Sequence, residues 1–452
     1  MISTLATLAM ASLLASPFEG SAAVELRYRG ALVPLAANAD GEPVKQFNLY
    51  TIVRKRMPDG HEFAFIVDEN GGGQWAWPER YGSIALDGRH QPTGDAQIRV
   101  LYLHEGTPHP LPLRQPLFEH SEKLSPEAEW EAGGLNYRVI GSRTIANREC
   151  WGVEAEDRFN RVQSIWVDKA SPLLIASEHD VTVGRGERFR LEMELESAEA
   201  ISADRLDALD RPLHSLLSLQ EQLKRPSNST DPELNDRQLA AAKAQIDAVQ
   251  RQSEATPFEA LAKFIGADVK FQLKRSEGVG DVARQLVGGK APVLDLVALD
   301  ESQVEDPIAR EKIVVLHFWK YRGDPPQEPY GQVGYLDFLH NRRSKLGVEV
   351  YGVAVDPRVG DSRERKGALR QIRKLTEFMN LSYPIAIDDG TLLSKFGDPR
   401  RLGAKLPVWV VIGPDSRVAH YHVGFYEIGR DQGLRELDDV VVQLIKQAAA
   451  AD

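Results

Sequence analysis

The 452-residue chain has one cysteine, Cys150. No intrachain disulfide is open to it, and no Cys-x-x-Cys pair exists in the sequence. Positive charge is also in short supply: 55 Lys and Arg stand against 66 Asp and Glu, a formal net charge of −11. Phosphate and anionic lipid surfaces need a basic footprint, so this balance argues against a non-specific nucleic-acid or membrane-surface binder. The apolar run at the N-terminus, Ile2 to Ala15, has the length of a signal-peptide core but is too short to span a bilayer. Small residues at Ser21, Ala22 and Ala23 offer a cleavage site. The expectation is a signal peptide over 1–23 and a mature chain from Val24, exported to the periplasm or cell envelope without a transmembrane anchor.

Catalytic signatures are missing as well. "HEGTPH", from His104 to His109, lacks HExxH spacing, and "NGGGQWAW" has no phosphate-binding lysine or strand-to-helix context. No Ser/His/Asp order can be defended. His420 and His422 share one side of a strand at i, i+2 spacing, which suits two metal ligands but more often marks a solvated face. The sequence calls for no cofactor and no metal.

What is present is a globular composition, 42% hydrophobic and 27% charged, long enough for two or three domains. From Val24 to about Leu195, period-two stretches such as "VELRYRG", "FNLYTIVR", "EFAFIVD" and "RFRLEMELE" alternate with turn signals, which predicts an antiparallel β domain. Leu111 to Pro126 reads as a Pro-rich loop. In "RECWGVEAED" the alternation puts Trp151, Val153 and Ala155 on one face and Cys150, Gly152 and Glu154 on the other; Cys150 is expected to be an unreactive thiol. Leu206, Leu209, Leu213, Leu216 and Leu223, then Leu239, Ala242, Ile246 and Val249, set two helical seams that predict an antiparallel hairpin used as a spacer. Thr230 and Glu233 have capping-box spacing for its second helix. After about residue 288, buried strands alternate with helices and end in a hairpin and a last helix, giving an α/β unit with a mixed sheet. The expected architecture is multidomain α+β: a signal peptide over 1–23, a β domain over 24–200, a helical connector over 201–287 and an α/β domain over 288–452.

Two resemblances follow from quoted residues. "GKAPVLDLVALDE", "VVLHFW", "GVEVYGVAVD" and "LPVWVVIGPDSRV" resemble the entry segment, active-site strand, next strand and cis-proline segment of the thioredoxin-like superfamily, TlpA/ResA and AhpC/TSA type. The resemblance implies a thioredoxin-like fold from 288 to the end and a thiol oxidoreductase or peroxiredoxin activity. That chemistry needs a thiolate at a helix start. In one register Gly323 and Pro326 occupy the two cysteine positions, and in the next register Asp324 and Gln327 do. Asp324 is an N-cap residue, not a nucleophile. The resemblance therefore leaves binding: with Pro407 cis, Leu406 and Val408 would offer a backbone edge to a protein or peptide, with Tyr321 and Arg322 exposed in the turn and Trp319 and Trp409 in the core. A looser resemblance, over "YRVIGSRTIANRECWGVEAEDRFNRVQSIWVDKASPLLIASEHD", is to the half-barrels of LolA-type lipoprotein carriers. It implies an apolar concave surface and makes a lipid carrier a further alternative.

Overall fold

The structure, a computed structural model, describes residues 21, 23–35, 41–56, 60–69, 77–105, 107–184, 186–225, 233–321, 332–426, 428 and 433–451. Among them are two large sheets, a two-stranded ribbon and seven α-helices, a mixed α+β chain. The chain divides into two compact units, Met1–Gln272 and Leu273–Asp452. Most of the expected signal peptide lies outside the described residues, and no described helix is long and apolar enough to cross a membrane.

The first unit is built on strands β1 (Ala23–Pro34), β2 (Lys45–Arg56), β3 (Gly60–Glu69), β4 (Tyr81–Leu86), β5 (Arg99–His104), β6 (Thr107–Pro112), β7 (Glu129–Ala132), β8 (Leu135–Ile145), β9 (Arg148–Asp157), β10 (Val162–Asp168), β11 (Leu174–Val183) and β12 (Glu187–Ile201). Ten of them form one antiparallel sheet in the order β4-β3-β2-β1-β12-β11-β10-β9-β8-β7, so the chain closes its meander by laying β12 against β1. One face is apolar by strict alternation, with Leu26 and Tyr28 on β1, Phe47 and Leu49 on β2, Phe63 and Val67 on β3, and Leu191 and Met193 on β12.

That face is filled by the chain itself. Ile98, Val100, Leu111, Leu117 and Phe118 join the same buried cluster. Ile98, Val100 and Leu111 come from the β5–β6 ribbon and the residue beside it; β5 falls in "QIRVLYL", which the alternation marks as a strand, whereas β6 runs into the stretch from Leu111 that reads as a Pro-rich loop. Thr107–Pro112 pairs with β5 even though it carries Pro108, Pro110 and Pro112. A strand with one neighbour turns alternate N–H groups away from that neighbour, so prolines at a spacing of two cost no ladder bonds.

One polar exception on this face is Lys45, whose ammonium lies 2.5 Å from the Glu69 carboxylate with both side chains almost wholly buried; Arg148 and Asp168, 3.4 Å apart, form a second buried ion pair in the sheet. Cys150 is fully buried within the same cluster. Burial on β9 follows Arg148 and Cys150, then changes phase to Val153 and Ala155, while Trp151 is only half-buried beneath the Lys169 ammonium. Opposite the phase change, β8 bulges between Val139 and Gly141.

Three helices follow the sheet. The two expected from the leucine seams are α1 (Ala203–Leu223) and α2 (Asp236–Ser253), and they bury Leu209, Leu213, Leu216, Leu239, Ile246 and Val249. The cap of α2 is not the expected one. Thr230 lies outside the described residues, and the capping box is Asn235 with Gln238, each side chain 2.9 Å from the other's backbone N–H. "NDRQ" carries that signature three residues from N-cap to N3, nearer the first apolar seam residue than Thr230. Asn235→Ala is expected to cost about 1 kcal/mol, read as a lowered denaturation midpoint of the first unit.

The third helix, α3 (Glu259–Leu286), lies within the helical connector expected over 201–287 but was not resolved as a helix beyond the hairpin, although Leu261, Ala262, Ile265 and Val269 give its buried stripe. Within the first unit the helices bond to the sheet's β4 end. Tyr81 donates to the Leu216 carbonyl at 3.0 Å, Arg54 meets Asp210 at 3.0 Å, and Trp77 Nε1 donates to Asp268 at 3.0 Å.

The second unit carries β13 (Val297–Ala298), β14 (Ile313–Trp319), α4 (Val333–Arg343), β15 (Val348–Val355), α5 (Arg365–Phe378), β16 (Ile385–Asp388), α6 (Thr391–Lys395), β17 (Val408–Ile412), β18 (Val418–Val423) and α7 (Arg435–Ala451). The sheet order is β13-β16-β15-β14-β17-β18, with β14, β15 and β16 parallel and the others antiparallel. β14 is buried on both faces, as the unbroken run "IVVLHFW" requires of a central parallel strand. Its odd residues Ile313 and Val315 pack in a layer with α4, α5 and α7, while Val314, Leu316 and Phe318 pack with Leu392, Leu393 and Phe396 around α6.

Candidate functional site

The candidate site lies where β14 ends beside the start of β17. Phe318 pairs with Val408 and His317 with Trp409, so the residues leaving β14 meet those entering β17. The Leu406–Pro407 peptide bond is cis. Arg322, Gly323, Asp324, Pro326 and Gln327 lie outside the described residues.

Two expectations about this corner are corrected. Tyr321 is not exposed in the turn: it is 1% exposed, and its hydroxyl is 3.1 Å from that of Tyr383. Gly352 on β15 makes room for it, because a Cβ there would collide with the Tyr321 hydroxyl, Tyr383 and Ile385. Val408 is not a free edge either. β17 runs between β14 and β18, Val408 pairs with Phe318 on one side and Val423 on the other, and its side chain is fully buried. Pro407 is buried and its carbonyl accepts the Gly424 N–H at 2.8 Å. Half-buried Leu406 and Trp319 remain at the surface of this corner.

Behind them the side chains form a continuous aromatic layer. The Trp319 and Tyr321 rings meet edge to face at 5.0 Å, and fully buried His317 stacks on Trp409 at 3.9 Å. Trp409 donates to the Gly424 carbonyl at 3.0 Å and lies 5.3 Å from the Tyr426 ring. Gln332, at the start of α4, clamps Tyr426 from both sides of its amide, donating to the Tyr426 carbonyl at 2.7 Å and accepting its N–H at 3.0 Å. This buried glutamine was not singled out from the sequence, and an isolated polar residue before a helix gives no signal for such a contact.

His420 and His422 are drawn into the same layer. His420 Nε2 lies 2.8 Å from the Tyr426 hydroxyl, and the His422 ring stacks on Tyr426 at 4.1 Å. Among the described residues no three His, Cys, Asp or Glu side chains gather as a ligand set. Burial pushes the Tyr321, Tyr383 and Tyr426 phenols up, and it pushes His420 down with help from neighbouring His422. These groups are neutral near pH 7. The corner can accept apolar and aromatic groups, and it holds no anionic nucleophile among its described residues.

The only thiol of the chain belongs to the first unit. Cys150 donates to the Arg148 carbonyl at 3.3 Å, and burial pushes its thiol above the usual range. Low thiolate content and no solvent access are the conditions of an inert cysteine.

No family model and no curated protein matches the chain. Solved structures give partial likenesses. A thiol:disulfide interchange protein DsbE from Chlorobium tepidum is 21% identical, over 35% of this chain and 97% of that one, with a TM-score of 0.26. A secreted Mycobacterium tuberculosis disulfide oxidoreductase homologous to E. coli DsbE is 16% identical over 33% and 96%, with a TM-score of 0.25. Peroxidoxin BcpB from Mycobacterium tuberculosis is 16% identical over 35% and 96%, with a TM-score of 0.27.

Proposed function

We propose that this is an exported protein whose C-terminal, thioredoxin-like region, 288–452, binds an extended protein or peptide segment and performs no thiol-disulfide exchange. The observation that carries this reading is the enclosure of the chain's one thiol, which no disulfide or peroxide substrate can reach. The sole thiol is buried in the first unit with its pKa raised, whereas the corner between β14 and β17 in the second unit offers half-buried Trp319 and Leu406 over an aromatic layer. In this reading Leu406 and Trp319 meet the partner together with Arg322, and Tyr321, Pro407 and Val408 lie in the buried layer behind Leu406 and Trp319.

Two measurements test it. Reduced, carboxymethylated α-lactalbumin, an unfolded chain rich in apolar side chains, is expected to bind the full-length protein and to be lost on Leu406→Asp; absence of binding, or binding indifferent to Leu406→Asp, would count against the reading. Cys150 in the native protein is expected to resist Ellman's reagent and to react only on denaturation, since the thiolate is the reactive form. Rapid labelling of the native chain would contradict the inert-thiol account.

A further inference from the structure

The apolar face of the large sheet is filled, but the first unit also bears an open cavity of about 810 Å³. This lies in the range of roughly 300–1,000 Å³ occupied by small-molecule sites. Every lining residue belongs to the first unit. Tyr50 and Ile66 lie on its sheet side, Ala260, Leu261 and Phe264 of α3 supply apolar wall, and Arg80 and Arg205 supply cationic wall.

Three arginines and three carboxylates line the cavity, but they are not paired with one another. Arg27 in the lining is held by Glu25 at 2.7 Å, Glu196 lies 3.5 Å from Arg29, and Glu69 is neutralised by Lys45. Arg80 and Arg205 make no ion pair with any described residue, and the buried Nε of Arg80 has no acceptor although its guanidinium stacks 4.8 Å over Phe264. Against these two cations stands one further carboxylate in the lining, exposed Asp68. Arg80 and Arg205 are therefore the cations of the lining without an ion pair, and they stand beside an apolar wall. A half-buried guanidinium without an acceptor forfeits a charge-assisted bond that a planar carboxylate would restore in matching fork geometry.

We infer that this cavity binds a free amphiphilic monocarboxylate, its carboxylate between Arg80 and Arg205 and its apolar tail along Ile66, Leu261 and Phe264. The site is independent of the C-terminal corner, and its failure would leave the peptide-binding reading untouched. Dodecanoate, with dodecan-1-ol as its uncharged counterpart, is the probe, titrated into the full-length protein by isothermal calorimetry.

Dodecanoate is expected to bind more tightly than the alcohol. The double variant Arg80→Gln/Arg205→Gln should weaken dodecanoate by about 10- to 100-fold, the worth of a charged hydrogen bond, and leave the alcohol unchanged. Ala260→Trp, an exposed helix position at the cavity wall, should abolish binding of both while preserving the far-ultraviolet circular dichroism, so the test does not rest on the arginine variants folding. No saturable binding of dodecanoate, equal affinity for acid and alcohol, or indifference to Ala260→Trp would each overturn the proposal. So would flotation with phosphatidylglycerol vesicles by a protein that ignores free dodecanoate.

Discussion

Replacing Tyr321 with alanine is expected to destabilise the C-terminal unit by about 3–5 kcal/mol, the range for deleting a buried aromatic side chain. The ring is wholly enclosed, lies edge-on to Trp319, and fills the space that Gly352 leaves open on β15. Its removal leaves a cavity and strips the Tyr383 hydroxyl of its partner. Tyr321→Phe keeps the ring and should cost only about 1–3 kcal/mol, the penalty for one buried hydroxyl left unpaired. Gly352→Ala should fall near the phenylalanine variant, at about 1–3 kcal/mol of overpacking. Differential scanning calorimetry, following the endotherm of this unit, reads all three. An alanine variant as stable as wild type would mean that Tyr321 stands in solvent, as the turn-like sequence around it first suggested.

Lys45→Met should be as damaging to the first unit. Lys45 and Glu69 continue the inward alternation of β2 and β3, so the sheet carries both charges onto its apolar face. Glu69 Oε2 also accepts the Leu101 N–H of β5 at 3.3 Å, tying the ribbon to the sheet. Removing the ammonium strands a buried carboxylate, which costs about 3–5 kcal/mol. The pair itself is a different matter, because two charges taken out of water repay their desolvation only in good geometry. Lys45→Met/Glu69→Leu should therefore recover most of the loss. Urea denaturation of the single and double variants makes the comparison. A single variant with an unchanged midpoint would show the pair to be solvated.

The reach of the sequence differed between the two units for physical reasons. β14 was legible because a strand buried on both faces needs an unbroken apolar run, and "VVLHFW" has no other economical fold between polar turns. The leucine seams of α1 and α2 were legible by the same kind of periodicity. α3 was not separated from the rest of the helical connector because Gly266, Gly278 and Gly280 interrupt its apolar pattern. β6 was hidden because proline argues against a strand unless the edge it occupies is known, and an edge is a property of the assembled sheet.

The candidate site was legible in outline and less so in exposure. Pro407 precedes the β17 residue that pairs with the end of β14, yet exposure of Tyr321 and Val408 depends on neighbours distant in sequence. Tyr383 and Gly352 bury the one, and β18 covers the backbone of the other. The aromatic layer shows the same limit, since Trp319, His317 and Trp409 stack only because β14 and β17 pair in register.

If the C-terminal unit binds without thiol chemistry, as proposed above, the protein should show no redox turnover. Purified full-length protein should neither accelerate the reduction of insulin by dithiothreitol nor consume hydrogen peroxide above the rate without protein, and Cys150→Ser should behave identically. Catalytic turnover in either assay would contradict this reading, most sharply if it survived in Cys150→Ser, where no thiol remains.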